Sequence, residues 1–466
     1  MEARSGNMQK EKQKQQATDM LHGPLVGKMI WFALPLAFTS VFQQLFNAAD
    51  VVVLGQLVSM NAMAAVGNNT PIVSLLVALL VGLALGANVV IAQRLGGGNA
   101  KHARRAVHSG IMLAAVIGVL LMLASELLAD RLLTALLVPA EVLPDAETYL
   151  RIYLLGIPAM ALYNFEAAVL RGYGDTKKPL LALIAASLLN IILNLAAVLL
   201  LDLGTAGVAA ATTLSNFVAA LVLWHFLRQD HGVVKVERKL LVFTVQELRE
   251  IIRIGLPAGI QGALFSLSNL LIQTSINSLG ADAMAASSAG FIIEALIYSF
   301  TNAIGQTVTT FVGQNFGARN IPRCCHITHV GMIIGACFAI ASGTAAVLLD
   351  RQLLRLFTAE EAVIALGTVR ILYVSGLVLP SGFLEVLSGA LRGFGSSMPP
   401  AVISLVTICG SRVVWVYNVF DATHDFGMLM LVYPISWALT ALLLAFVYEF
   451  YRRHLLQTYP RSLFPT

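Results

Sequence analysis

The sequence predicts an all-α integral membrane protein, with twelve transmembrane helices in two six-helix bundles related by a parallel internal repeat. Three observations predict it. Hydrophobic residues make up 58% of the 466 and charged residues 12%, against about 25% charged in an ordinary soluble domain. Apolar runs long enough to cross about 30 Å of hydrocarbon recur along the chain. The first half returns in the second at a shift of 221 to 222 residues.

Residues 1–27 are polar and Lys-rich, without the apolar core of a cleaved signal peptide, and read as a cytoplasmic tail. The N-terminal bundle, 28–228, holds apolar runs near 29–54, 71–92, 106–129, 148–170, 179–201 and 207–227. A cytoplasmic linker, 229–249, carries Lys235-Val-Glu-Arg-Lys239 and leads into an amphipathic surface segment, Val245 to Arg253. The C-terminal bundle, 250–452, holds runs near 251–277, 284–312, 327–349, 364–391, 398–420 and 427–449, and a second tail, 453–466, follows.

The repeat is specific. Leu170-Arg171-Gly172-Tyr173-Gly174 returns as Leu391-Arg392-Gly393-Phe394-Gly395, and Pro35 and Asn47 return as Pro257 and Asn269. Gln93, Gly96, Asn99 and His108 return as Gln314, Gly317, Asn320 and His329. Six crossings bring the chain back to its starting side, so both copies enter the membrane in the same direction and are related by a pseudo-two-fold axis along its normal. Such a duplication in so apolar a chain is the pattern of a transporter that handles substrate between two bundles. The loop Leu95-Gly96-Gly97-Gly98-Asn99 lacks the Gly-Lys-Ser/Thr ending of a phosphate cradle and reads as a tight turn. With no nucleotide-binding domain, transport is expected to run on an ion gradient.

Charge sets the orientation. Placing the N-terminus in the cytoplasm puts most of the 30 Lys and Arg inside, among them Lys10, Lys12, Lys14, Lys28, Arg94, Lys101, Arg104, Arg105, Lys177, Lys178, Lys239, Arg452 and Arg453. Both termini are then expected to be cytoplasmic, in a bacterial plasma (inner) membrane. Topology and anionic headgroups account for the pI near 9.0, so nucleic acid is not an expected partner. Cys324, Cys325, Cys337 and Cys409 have no CxxC spacing and imply neither disulfides nor zinc.

Polar residues inside spans are costly and usually face a cavity or a partner. In span 1, Ser40, Gln43, Asn47 and Asp50 share one helical face. Asn190 and Asn194 in span 5, and Thr212, Thr213 and Asn216 in span 6, can surround Asp50 with neutral groups. Asn and Thr also bond neighbouring helices structurally; Asp50 has no Lys or Arg at its depth. The repeat replaces Asp50, Asn190 and Asn194 with Ile272, Ser411 and Trp415, so an ion site is expected in the first bundle alone. The second bundle offers the uncharged stripe Ser266, Asn269, Gln273 and Asn277, with Glu294, Glu385 and Arg412. A buried Arg412 needs a partner, and the first expectation is a structural ion pair with Glu294, the second a substrate-facing Glu294. Glu166 is expected near the cytoplasmic interface.

Gln43-Gln44-Leu45-Phe46-Asn47-Ala48-Ala49-Asp50, with Ala62-Met63-Ala64-Ala65-Val66-Gly67, the two Leu-Arg-Gly-aromatic-Gly turns, Trp415 and Tyr433-Pro434-Ile435-Ser436-Trp437 resemble the multidrug and toxic compound extrusion (MATE) family. The resemblance covers about 24–453 and is nearer the bacterial DinF- and MepA-like branch; a NorM-like acid would fall at Ser381. It implies a V-shaped two-lobed antiporter that exports amphipathic, often cationic drugs against H⁺ or Na⁺ by alternating access. Carried over by residue, Asp50 with Gln43, Asn190, Asn194 and Thr212 or Thr213 would be the coupling site, and Na⁺ would sit at Asp50, Asn190 and Asn194. Asn47, Asn269, Gln273, Asn277 and Glu294 would line the substrate cavity. Expected partners are small organic cations or drugs and membrane lipids, with no cofactor beyond the coupling ion and a monomeric chain.

Physically, a carboxylate held away from water takes up a proton or keeps a cation beside it, so proton and cation compete for Asp50. Gly82-xxx-Gly86 and Gly331-xxx-Gly335 permit close helix contacts. The alternative function is a lipid-linked precursor flippase of the same superfamily, for which a cationic cleft is expected. An enzyme is not expected: the chain has no HExxH, no paired His-Asp spans and no nucleophile motif.

Overall fold

The computed structural model describes residues 17–136 and 138–458; the expected tails at 1–16 and 459–466, with Lys10, Lys12 and Lys14, lie outside the described residues. The described chain is helical and runs through α1 (Leu25–Leu57), α2 (Met60–Gly96), α3 (Ala100–Ala135), α4 (Leu143–Leu154), α5 (Ile157–Tyr173), α6 (Lys177–Leu199) and α7 (Gly204–Gln229). It continues through α8 (Val245–Ser278), α9 (Ala281–Gly317), α10 (Ile321–Leu348), α11 (Glu361–Gly393), α12 (Met398–Thr423) and α13 (Phe426–Thr458). Among the described residues eleven of these are long and apolar enough to span a membrane, and α4 with α5, bent by 47°, makes a twelfth when the pair is counted as one span. Gly156 and Pro158 sit at that break, where proline lacks the N–H that would carry a helix through.

The halves repeat down to their caps. Asn99 Oδ1 accepts from His102 N at 3.2 Å to start α3, and Asn320 Oδ1 accepts from Arg323 N at 3.1 Å to start α10. The residue before each Asn is left-handed: Gly98 at φ +68° and Arg319 at φ +59°. The glycine-rich loop is therefore a helix-to-helix turn. Both Leu-Arg-Gly-aromatic-Gly motifs are helix ends of one kind, with Gly174 (φ +112°) and Gly395 (φ +83°) turning the chain. In each, the next N–H reaches back over the turn, Asp175 to Leu170 O at 2.8 Å and Ser396 to Leu391 O at 2.9 Å.

The described chain packs as two compact units, unit 1 containing Phe38–Gly259 and unit 2 containing Met20–Ala37 with the described residues from Ile260 onward. These boundaries differ from the expected 28–228 and 250–452: the divisions fall inside α1 and α8, near Pro35 and Pro257, and not in the 229–249 linker. A polar stretch reads as a boundary because it lacks an apolar run, yet this one is built into unit 1. Val234 and Val236 are buried, Glu237 N donates to His108 Nε2 at 3.1 Å, and Thr244 N donates to Ser109 Oγ at 2.9 Å. Arg94 at the end of α2 pairs with Glu247 at 3.2 Å and Glu250 at 2.6 Å.

Unit 1 has one core, centred on Leu54, Leu80, Ile91, Leu150, Leu154 and Phe165. Gly82 and Gly86 of α2 press on α8 backbone, and a Cβ at Gly82 would lie 2.1 Å from Gly259 Cα. The second pair differs: Gly331 and Gly335 face side chains, Val308 and Val386. In unit 2 one core gathers Phe32, Phe311, Cys324, Leu391 and Leu444, and another Ile272, Ile276, Phe420 and Leu429. Ile272, the repeat counterpart of Asp50, is thus a core residue.

Candidate ion-coupling and ligand sites

In unit 1 the buried Asp50 of α1 is held by neutral donors from three other helices. Asn194 Nδ2 of α6 donates to Oδ1 at 2.7 Å, and Thr212 Oγ1 of α7 donates to Oδ2 at 2.6 Å. Tyr149 of α4 donates its hydroxyl to Oδ2 at 3.4 Å. Asn190 completes the ring, its Nδ2 donating to Thr212 Oγ1 at 3.1 Å and its Oδ1 accepting from Asn194 at 3.2 Å. Among the described residues no Lys or Arg lies within salt-bridge distance of Asp50. The buried Asn194 Oδ1 has no hydrogen bond among them, which leaves an acceptor beside the carboxylate.

Sequence reasoning named four of these five. Asn190 and Asn194 meet because they lie one turn apart on one face of α6. Tyr149 was missed, since an aromatic just before a helix break gives no periodic signal that it meets a carboxylate on another helix. Gln43 and Thr213 do not join the cluster: Gln43 is exposed, and Thr213 Oγ1 donates to Ile152 O at 2.8 Å. Asn47 is exposed as well. Glu166 does not face water but is buried in unit 1, its Oε2 without a hydrogen bond among the described residues.

In unit 2 the expected Arg412–Glu294 pair does not form. Glu294 of α9 instead takes Arg370 of α11, Nε to Oε1 at 2.6 Å and Nη2 to Oε2 at 2.7 Å. Gly290, one turn before Glu294, leaves room for the arginine; a Cβ there would lie 2.9 Å from Arg370 Cδ. The reason is geometric. Arg412 follows π-helical winding at Leu405–Gly410, so its facing counted at 3.6 residues per turn fails, whereas Arg370 lies in regular α-helix ahead of the π-helical Ile371–Ser375.

Arg412 bonds neutral groups, Asn269 Oδ1 at 2.6 Å and Ser268 Oγ at 3.3 Å, and lies 4.6 Å over the Tyr433 ring. Gln273 and Asn277 are exposed and bond each other at 2.9 Å. Glu385 is buried on α11, accepting from Tyr298 Oη at 3.0 Å and Asn302 Nδ2 at 3.5 Å.

The MatE family model matches this chain twice, at residues 35–196 and 257–417. The two matches start at the repeated prolines Pro35 and Pro257 and take in Asp50 and Arg412. The chain belongs to the MATE family. It is accordingly a multi-pass membrane transporter and not an enzyme.

Relatives of this MATE chain include the probable multidrug resistance protein NorM of Thermotoga maritima, 29% identical, with 83% of this chain and 84% of the relative covered. The multidrug export protein MepA of Staphylococcus aureus (strain NCTC 8325 / PS 47) is 22% identical, covering 86% and 88%. Among solved structures, a MATE crystal structure in the straight conformation superposes with a TM-score of 0.87 at 22% identity, covering 95% of this chain and 99% of that one. Ser381, where a NorM-like acid is expected to fall, is buried, and a carboxylate, Glu385, lies one turn further on.

Proposed function

We propose that this MATE protein is a secondary active multidrug exporter that expels amphipathic, often cationic compounds in exchange for H⁺ or Na⁺ by alternating access. The observation that carries the reading is Asp50: a buried carboxylate ringed by Asn194, Thr212, Asn190 and Tyr149, with neutral donors in place of a compensating arginine or lysine. Such a group changes its company when a proton or cation arrives, because burial makes an isolated anion costly. Asp50 is the coupling carboxylate in this reading. A proton on Oδ1 or Oδ2 would remove its charge; Na⁺ would draw on Asp50, Asn190 Oδ1 and the unpartnered Asn194 Oδ1, all hard oxygen donors. The names of the relatives, multidrug resistance and multidrug export proteins, support the substrate class.

In this reading both termini lie in the cytoplasm of a bacterial plasma membrane, a topology that the distribution of basic residues supports, and the transporting unit is a monomer. The test is transport of a fluorescent organic cation in proteoliposomes under an imposed proton gradient and, separately, a sodium gradient. Accumulation driven by either gradient identifies the coupling ion; no response to either would overturn the antiport reading.

A further inference from the structure

Arg412 is 1% exposed and stands on α12 between two π-helical stretches, Leu405–Gly410 and Val416–Phe420. Interruptions of this kind are rare and recur at functional sites. Its guanidinium uses one nitrogen: Nη1 donates to Asn269 Oδ1 and to Ser268 Oγ. The buried Nε has no partner among the described residues, and no hydrogen bond from Nη2 is found among them. No carboxylate among the described residues lies within salt-bridge distance, and Glu294 is already held by Arg370.

Nε and Nη2 together form the edge of a guanidinium that takes both oxygens of a carboxylate or phosphate side-on. In Arg412 that edge is vacant while the charge is buried, a costly arrangement unless an anion comes from outside the chain. Access is short. Asn269, which covers Nη1, is exposed, and it is flanked by exposed Leu267 and Leu270. The Tyr433 ring lies against the guanidinium, and Asn269 brings a polar group to the surface next to it.

We propose that Arg412 is the anion-recognising residue of a ligand site within unit 2, taking one carboxylate or phosphate group of an amphipathic molecule on its Nε/Nη2 edge. Resting on the exporter reading above, it widens the substrate class from organic cations to amphiphiles that carry one anionic group. The site is separate from the Asp50 cluster, which lies in unit 1.

The test is isothermal titration of the full-length purified protein, without any ion gradient, using 2-naphthoate and its neutral amide, 2-naphthamide. The parent protein is expected to bind the acid at least about tenfold more tightly than the amide, the size expected of hydrogen bonds to a charged group. Arg412→Gln should erase that preference, and Arg412→Lys should keep only part of it, because an ammonium lacks the two-pronged edge. Equal binding of acid and amide by the parent would overturn the proposal, and this comparison needs no variant to fold. Unchanged naphthoate binding by a folded Arg412→Gln would overturn it too.

Repeating the titration in nanodiscs of phosphatidylcholine with and without phosphatidylglycerol separates the sources. Loss of naphthoate binding with phosphatidylglycerol makes a lipid headgroup the occupant, whereas unchanged binding makes it a soluble amphiphile; both support an anion site. Failure of the exporter reading appears elsewhere, as absent gradient-driven cation transport, and leaves this equilibrium result untouched.

Discussion

Arg370 and Glu294 form a two-pronged ion pair inside unit 2, at 2.6 Å and 2.7 Å, and Arg370 Nη1 also donates to Ser287 Oγ. Arg370 and Arg412 approach the same aromatic, their guanidinium carbons 5.8 Å and 4.6 Å from the Tyr433 ring centroid. One arginine is satisfied by a carboxylate of its own unit and the other is not.

Breaking the satisfied pair should be expensive. Arg370→Ala is expected to lower stability by about 3–5 kcal/mol, because Glu294 is left as an unpaired, largely buried charge. The double change Arg370→Leu with Glu294→Gln should recover much of that loss. Thermal unfolding in detergent checks both; a double variant no more stable than Arg370→Ala would mean that the arginine acts through packing.

Asp50→Asn should leave the fold intact, since the amide can replace the carboxylate within a ring of neutral groups. Gradient-driven efflux should fall to background, and drug binding should lose its dependence on pH or sodium. Full coupled transport by this variant would remove the coupling role from Asp50.

Gly82 and Gly335, one from each small-residue pair, should respond differently to a methyl group. Gly82→Ala places a Cβ against Gly259 backbone and is expected to cost about 1–3 kcal/mol through overpacking. Gly335→Ala meets only Val386 Cγ2 at 3.7 Å, an ordinary contact, and should be near neutral. Unfolding midpoints measured side by side test the contrast, and equal losses would contradict it.

The turn ahead of α10 holds a non-glycine residue in left-handed backbone. Arg319→Gly is expected to stabilise by about 0.5–1 kcal/mol, and Gly98→Ala at the equivalent turn to destabilise by about 1 kcal/mol. Opposite shifts in unfolding temperature are the expected outcome; a loss in both would show that the Arg319 side chain contributes more than its backbone strain costs.

Lys235→Cys, in the segment packed on α3, should react with an impermeant thiol reagent only from the cytoplasmic side, as the proposed topology implies. Labelling from outside intact cells would reverse the topology.

The sequence alone determined the spans, their repeat, the turns at the glycine motifs and the grouping of Asp50 with Asn190 and Asn194, and it left Thr212 and Thr213 open. Each of these is either a property of one helix or a pattern within one face, and hydropathy and helical spacing encode both. Which helices meet, and at what rotation, was decided only by the tertiary structure. Glu294 found Arg370 instead of Arg412, which lies beyond the π-helical stretch Leu405–Gly410. Tyr149 came to Asp50 from a helix that stops at a bend, and the compact units divide inside α1 and α8 instead of at the linker. Pairing between helices depends on azimuth and depth, and each π-helical turn shifts the residues beyond it by about 100° from α-helical counting. A one-dimensional pattern carries no record of that rotation.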